Sequence, residues 1–152
     1  MKVVIQVATP QHKDLPSKNF IKQVLTSADL YLKKNTPEVL VRIVTPDEIQ
    51  TLNATYRHKD YATNVLSFPF QAPPGIDAPF LGDIIICHQV LKTEAESQNK
   101  TLLDHYAHML IHGFLHLHGY DHIRQNDAQI MENLEKIILQ QLNIANPYEE
   151  IL

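Results

Sequence analysis

Among the nine histidines of this chain, His112, His116 and His122 fall at spacings of four and six within the segment HGFLHLHGYDH. An α-helix advances about 100° per residue, so positions four apart project from one face a turn apart, and His112 and His116 can present both imidazoles to a single ion. If the helix continued, His122 would point elsewhere, so the chain has to bend back to bring it to the pair. Gly119 stands where that bend is needed, and glycine takes the left-handed conformation that ends helices without a steric cost. Three neutral imidazoles with no neighbouring thiolate suit zinc, and nickel, copper or iron are compatible with the same ligand type. Three protein ligands leave one coordination position open. That is the pattern of a catalytic zinc, since a structural zinc is normally closed by four protein ligands.

The spacing is also that of the metzincin protease pattern HExxHxxGxxH, glycine included, except that Gly113 occupies the position of the catalytic glutamate. A glycine cannot accept a proton. The sequence therefore offers the cage of such a protease without the general base that peptide hydrolysis by this arrangement needs.

The elements that must position these residues can be read from periodicity and turn chemistry. Alternating apolar residues at 3–7 and 39–44 predict strands, and Phe20, Val24, Leu25 and Leu32 predict a helix between them. Thr45, Pro46 and Glu48 supply a cap, a first-turn proline and an acidic residue three beyond the cap, which predicts a helix to about Tyr56. Apolar runs at 64–68 and 81–87 follow, separated by QAPPGIDAP, whose prolines and glycine forbid regular structure and predict a mobile loop. From His88 the pattern is helical, with segments to about Ser97, from about Leu102 to His118, and from about Gln125 to Leu142. In the histidine helix, Met109, Leu110, Phe114 and Leu117 form the buried side. Strands gathered early and helices late predict an α+β fold, a small mixed β-sheet with helices largely on one face and the three-histidine site on a helix of the C-terminal half.

A length of 152 residues with 44% hydrophobic content suits one domain, 1–152, with its own core. No apolar run approaches a membrane span, and MKVVIQVATP reads as a strand and not as a signal peptide. A single cysteine, Cys87, allows no internal disulfide and fits a reducing cytoplasm. Cys87 is expected to be a buried strand residue, with a role as fourth metal ligand the lesser alternative. The net charge of −4 provides no global field for nucleic acid, so any RNA binding has to come from a local patch.

HGFLHLHGYDH, together with YRHKDYATNVLSFPF at 56–70 and LGDIII at 81–86 in that order, resembles the YbeY family, single-domain metalloproteins of bacteria and some organelles. The resemblance covers most of the chain. It implies a metal-dependent endoribonuclease acting on single-stranded RNA and not on DNA, with a role in maturing the 3′ end of 16S ribosomal RNA and in ribosome quality control. Small-subunit ribosomal proteins are implied as further partners. On the matching positions the metal ligands are His112, His116 and His122, and the functionally important arginine is Arg57. Ala62 departs from the pattern, where proline is usual; this loosens the loop but removes no chemical group.

Arg57 also has an argument of its own. A guanidinium is permanently charged and can hold a phosphate by two parallel hydrogen bonds, stabilising charge that builds on the phosphoryl oxygens. The blander alternative is a surface salt bridge beside His58, Lys59 and Asp60, and only the resemblance reverses that preference. Lys59 could add a phosphate contact or be a solvated loop lysine. His105 and His108 precede His112 on a similar face, where either could orient a ligand, carry a proton or simply pack. Asp121 could fix the His122 ring or bond the local backbone. His118 falls on the other side of the helix, outside the ligand set. Ser67 and Asp83 belong to the matching motifs without an evident role.

Two other functions compete. A metal-dependent hydrolase of a non-RNA substrate has Gly113 against it. A non-catalytic ribosome-assembly factor with a structural metal has the open coordination position against it, and the negative charge mildly in favour. For the nuclease, the attacking group is either water or the ribose 2′-hydroxyl. Three neutral ligands leave an ion's full charge to acidify water, which favours water.

Overall fold

The computed structural model describes residues 1–149. The chain runs through β1 (Lys2–Ala8), α1 (Lys18–Leu32), β2 (Glu38–Val44), α2 (Pro46–Arg57), β3 (Val65–Pro69), β4 (Gly82–Cys87), α3 (His88–Ser97), α4 (Leu102–Leu117) and α5 (Gln125–Gln141). The four strands form one mixed sheet in the order β1-β2-β4-β3. β1 and β4 each run parallel to β2, while β3 runs antiparallel to β4 at the edge. The α+β fold expected from the order of elements is therefore present, and no helix among the described residues is long and apolar enough to cross a membrane.

The helices start where small oxygen-bearing side chains satisfy their free amides. Ser17, Thr45 and Thr101 accept from the amides of Phe20, Glu48 and Asp104 at 3.1, 3.3 and 3.1 Å. Glu48 does not close a capping box with Thr45, although its position three beyond the cap would allow it. Its carboxylate instead takes two bonds from Arg42, Nε at 2.7 Å and Nη2 at 3.0 Å, because a guanidinium is a stronger partner than a single cap amide. That pair ties α2 to β2.

β4 is buried on both faces, which is why its sequence is a continuous apolar run and not an alternating one. Ile84 and Ile86 join the main core with residues of α1, α4 and α5, whereas Ile85 and Cys87 pack with Val44, Ile49 and Leu66 beneath α2. Helices α1, α4 and α5 thus share one face of the sheet, and α2 covers the other. Cys87 is a buried strand residue, as its run predicts.

Helix α4 lies between the sheet and its helical neighbours, with Tyr106, Leu110, Ile111, Phe114 and Leu115 wholly buried. At roughly 1.5–3 kcal/mol for each large apolar side chain taken from water, this burial holds α4 as a rigid platform. Gly113 is where the platform touches the sheet. A Cβ added there would lie 3.0 Å from Ile84 Cγ2 and 3.1 Å from Ser67 Oγ. The Ser67 hydroxyl donates to the Gly113 carbonyl at 3.1 Å, fastening α4 to β3. At its far end α4 stops at His118, and Gly119 takes a φ of +92° that turns the chain back.

Candidate metal centre

α4 projects His112 and His116 from consecutive turns, and the bend at Gly119 returns His122 to them. One ligand atom from each of the three imidazoles lies within 4.8 Å of the others. Their outer hydrogen bonds fix which nitrogen is free. His112 Nδ1 lies 2.7 Å from a carboxylate oxygen of Glu135, and His116 Nδ1 lies 2.9 Å from the Tyr120 carbonyl. Both partners can only accept, so both Nδ1 atoms carry the proton and both Nε2 atoms present bare lone pairs.

Those two Nε2 atoms face each other at 3.1 Å. With no proton between them, two lone pairs at that separation repel, and a cation shared by both converts the repulsion into binding. Burial, together with the neighbouring His112 and His122, lowers the pKa of His116 to about 4, so the ring is neutral and ready to ligate at ordinary pH. The donor set fits one divalent transition metal, with His112, His116 and His122 as the residues that would hold it.

Glu135 was not visible as a site residue in the sequence reading. It lies in the apolar stripe of α5 with Met131, Ile138 and Leu139, and its side chain is fully buried. Burial pushes its carboxyl pKa up, but hydrogen bonds from His108, His112 and Tyr148 outweigh that and hold it at about 2, fully ionised. A glutamate occupying a core position of an amphipathic helix is the signal that could have found it, since an unpaired buried carboxylate is prohibitively costly.

Arg57 ends α2, on the opposite face of the sheet from α4, and its side chain lies against the edge strand β3. The guanidinium donates through Nη2 to the Ser67 carbonyl at 2.8 Å and lies 4.8 Å from the centre of the Phe68 ring. Asp60, the neighbour best placed for a simple salt bridge, accepts instead from Gln50 at 3.1 Å. Among the described residues no carboxylate pairs with Arg57, so its charge is available to a ligand. One cavity of about 530 Å³ is lined by Arg57, Lys59, His112, His116 and His122, with Tyr61 and Ser67 between them. Ser67 gains a role that the sequence did not give it: its hydroxyl holds α4 and its carbonyl holds Arg57.

The other candidates separate cleanly. His108 shares Glu135 with His112 and also meets the Tyr148 hydroxyl, one step removed from the cluster. His105 bonds Glu94 at 2.9 Å, and His118 bonds Thr36 at 3.1 Å, away from the three histidines. Asp121 accepts from the Ile123 amide at 3.2 Å, which is the local-backbone alternative and not a contact to the His122 ring. Cys87 and Asp83 lie on β4, outside the metal-ligating group.

A histidine cluster that could hold a cation, beside a guanidinium with no carboxylate partner among the described residues, is suited to chemistry at a phosphodiester, and comparison with known proteins points the same way. The solution structure of TM1509 from Thermotoga maritima matches with a TM-score of 0.59 at 22% sequence identity, covering 97% of this chain and 96% of that one, which shows a shared fold. The family model described as "Endoribonuclease YbeY" matches residues 6–143, from β1 to just beyond α5. The chain belongs to the YbeY endoribonuclease family.

Proposed function

We propose that this protein is a metal-dependent endoribonuclease that cuts single-stranded RNA in the cytoplasm, maturing the 3′ end of 16S ribosomal RNA and acting in ribosome quality control. The observation that carries the reading is the convergence on one cavity of three imidazoles that could hold an ion and of Arg57, which has no carboxylate partner among the described residues. A zinc ion, or another divalent transition metal, held by His112, His116 and His122 would supply a Lewis acid and acidify water.

The chain's own residues account for substrate handling. Arg57 donates through Nη1 to the Tyr56 carbonyl and through Nη2 to the Ser67 carbonyl and would turn its remaining N–H groups to a phosphate, and Lys59 adds a second positive charge in the same cavity, giving the local patch that a chain of net charge −4 needs to bind RNA. The Ser67 carbonyl and the Phe68 ring hold the guanidinium in place before substrate arrives, so little ordering is left for the reacting complex. Glu135 and the Tyr120 carbonyl keep His112 and His116 in the tautomer that exposes Nε2.

The protease reading is disfavoured by Gly113, which offers no carboxylate where such an enzyme carries its base, and where even a Cβ would lie 3.0 Å from Ile84 Cγ2. The decisive experiment is cleavage of a defined single-stranded RNA by purified protein, metal-stripped protein, metal-restored protein and the Arg57→Ala variant. Cleavage lost on stripping, regained with zinc and lost in the variant supports the reading. Equal cleavage by stripped and restored protein would sink it.

A further inference from the structure

Beyond α5 the chain folds back toward the buried side of the histidine cluster. There the Tyr148 amide is held by Asn146 Oδ1 at 2.8 Å, and the Tyr148 hydroxyl donates to Oε2 of Glu135. Tyr148 is 39% exposed. Its ring stands edge-on to His108 at 5.5 Å and under Lys136 Nζ at 5.8 Å, and its hydroxyl makes the polar contact to Glu135.

The hydrogen bonds around Glu135 have one consistent proton order. Oε1 accepts from His112 Nδ1 at 2.7 Å, and Oε2 accepts from Tyr148. His108 Nε2 lies 3.3 Å from the Tyr148 oxygen and 3.4 Å from Oε1 of Glu135, and among the described residues His108 Nδ1 is buried without a partner. A proton on Nε2 of His108 satisfies the donor and leaves only a bare acceptor orphaned, which is the less costly arrangement. Donors then point from His108 to Tyr148 and to Oε1 of Glu135, from Tyr148 to Oε2 of Glu135, and from His112 to Oε1 of Glu135. Removing the Tyr148 hydroxyl would leave one oxygen of a fully buried carboxylate without a donor. The carboxylate would then turn or seek another partner, and the acceptor that fixes the His112 tautomer would be lost.

We propose that Tyr148 is a positioning residue of the metal centre: by anchoring Glu135 it fixes the tautomer and direction of His112, so that the segment around Asn146 and Tyr148 sets metal affinity. This rests on the reading that the three histidines bind a metal. Zinc affinity is to be measured by competition with a chromogenic chelator for the wild-type chain, Tyr148→Phe and Glu135→Gln, alongside the melting temperature of each metal-free protein. Glu135→Gln, at the direct partner of His112, is expected to weaken zinc binding by about 10- to 100-fold, and Tyr148→Phe, one contact further out, by several-fold, with a modest fall in metal-free melting because one oxygen of the buried carboxylate loses its donor. Zinc affinity within twofold of wild type in Tyr148→Phe would overturn the proposal. Should that variant fail to fold, Asn146→Ala keeps the hydroxyl but frees the turn that seats it; several-fold weaker zinc binding supports the proposal and unchanged binding overturns it. A wild-type chain that binds no zinc defeats the metal reading as well, whereas tight wild-type binding with an unaffected Tyr148→Phe defeats the positioning role alone.

Discussion

Replacing Gly113 by alanine sets two physical effects against each other. A glycine inside a helix costs about 0.8–1.0 kcal/mol relative to alanine, so the substitution should stabilise α4 if space were free. Space is not free, because the new methyl would lie 3.0 Å from Ile84 Cγ2 and 3.1 Å from Ser67 Oγ. Ile84 is fully buried on a central strand and cannot yield without moving the sheet or the helix, an overpacking cost of about 1–3 kcal/mol. Ser67 can rotate away only by giving up its bond to the Gly113 carbonyl, worth about 1 kcal/mol. The net expectation is a destabilisation of about 1–3 kcal/mol, which for a chain of this size lowers the melting temperature by roughly 2–12 °C. Thermal unfolding of the metal-free variant followed by circular dichroism measures it. Cleavage at 25 °C should fall several-fold as well, since a small separation of α4 from β3 moves the histidines away from Arg57. A melting temperature that rises by roughly 2–4 °C, as for an open helical glycine, would show that the close approach does not constrain the site.

Gly119 tests conformation where Gly113 tests space: nothing lies within 4 Å of its would-be Cβ, but its φ is +92°, so Gly119→Ala should cost about 1 kcal/mol or more through backbone strain and weaken zinc binding by displacing His122. A variant with both quantities unchanged would remove the turn from the design of the site. Arg57→Lys keeps a charge but loses the paired donors, the grip of Ser67 and the Phe68 contact; cleavage should drop by about 10²-fold with melting nearly unchanged, and a fully active variant would show that charge alone suffices. Acid should destabilise the metal-free protein. His88, His105, His116 and His118 all have pKa values lowered primarily by burial, so the unfolded chain takes up protons that the fold refuses. Stability is then full above about pH 6.5 and is lost as the pH falls below it. A denaturant midpoint that stays flat or rises between pH 7 and 5 would contradict this assignment.

Much of the centre was legible because its information is local. The four-residue spacing of His112 and His116 requires only helical geometry, and the glycine at 119 requires only a bend. Thr45 and Pro46 announce the start of α2 in the same local way. Long-range partners were not legible. Glu135 lies 23 residues from His112, on another helix, and only its place in an apolar stripe marks it. The role of Ser67 depends on two contacts made across different elements, to Gly113 and to Arg57, which no periodicity encodes. Glu48 shows the converse: its local capping pattern was overruled by Arg42 from a neighbouring strand. In the sequence Gly113 marks the loss of a base, whereas in the fold it is also the point where a helix can approach a sheet.

The grip of Arg57 on Ser67 has a consequence beyond phosphate chemistry. β3 is an edge strand, and the Asn64 carbonyl and Phe70 amide that flank it bond inward, to the Cys87 amide and the Leu81 carbonyl. Alternation along the strand then turns the backbone groups of Ser67 outward, toward the unpaired edge. Such an edge is a template on which another extended chain can pair. Pro69 has no amide to offer there, the Val65 amide is taken by the Asn64 side chain at 2.7 Å, and Arg57 occupies the Ser67 carbonyl. The same guanidinium that faces the cavity therefore also caps one outward acceptor of that edge. A variant lacking it would free that acceptor, and any change in its solubility at high concentration would have to be separated from its loss of activity.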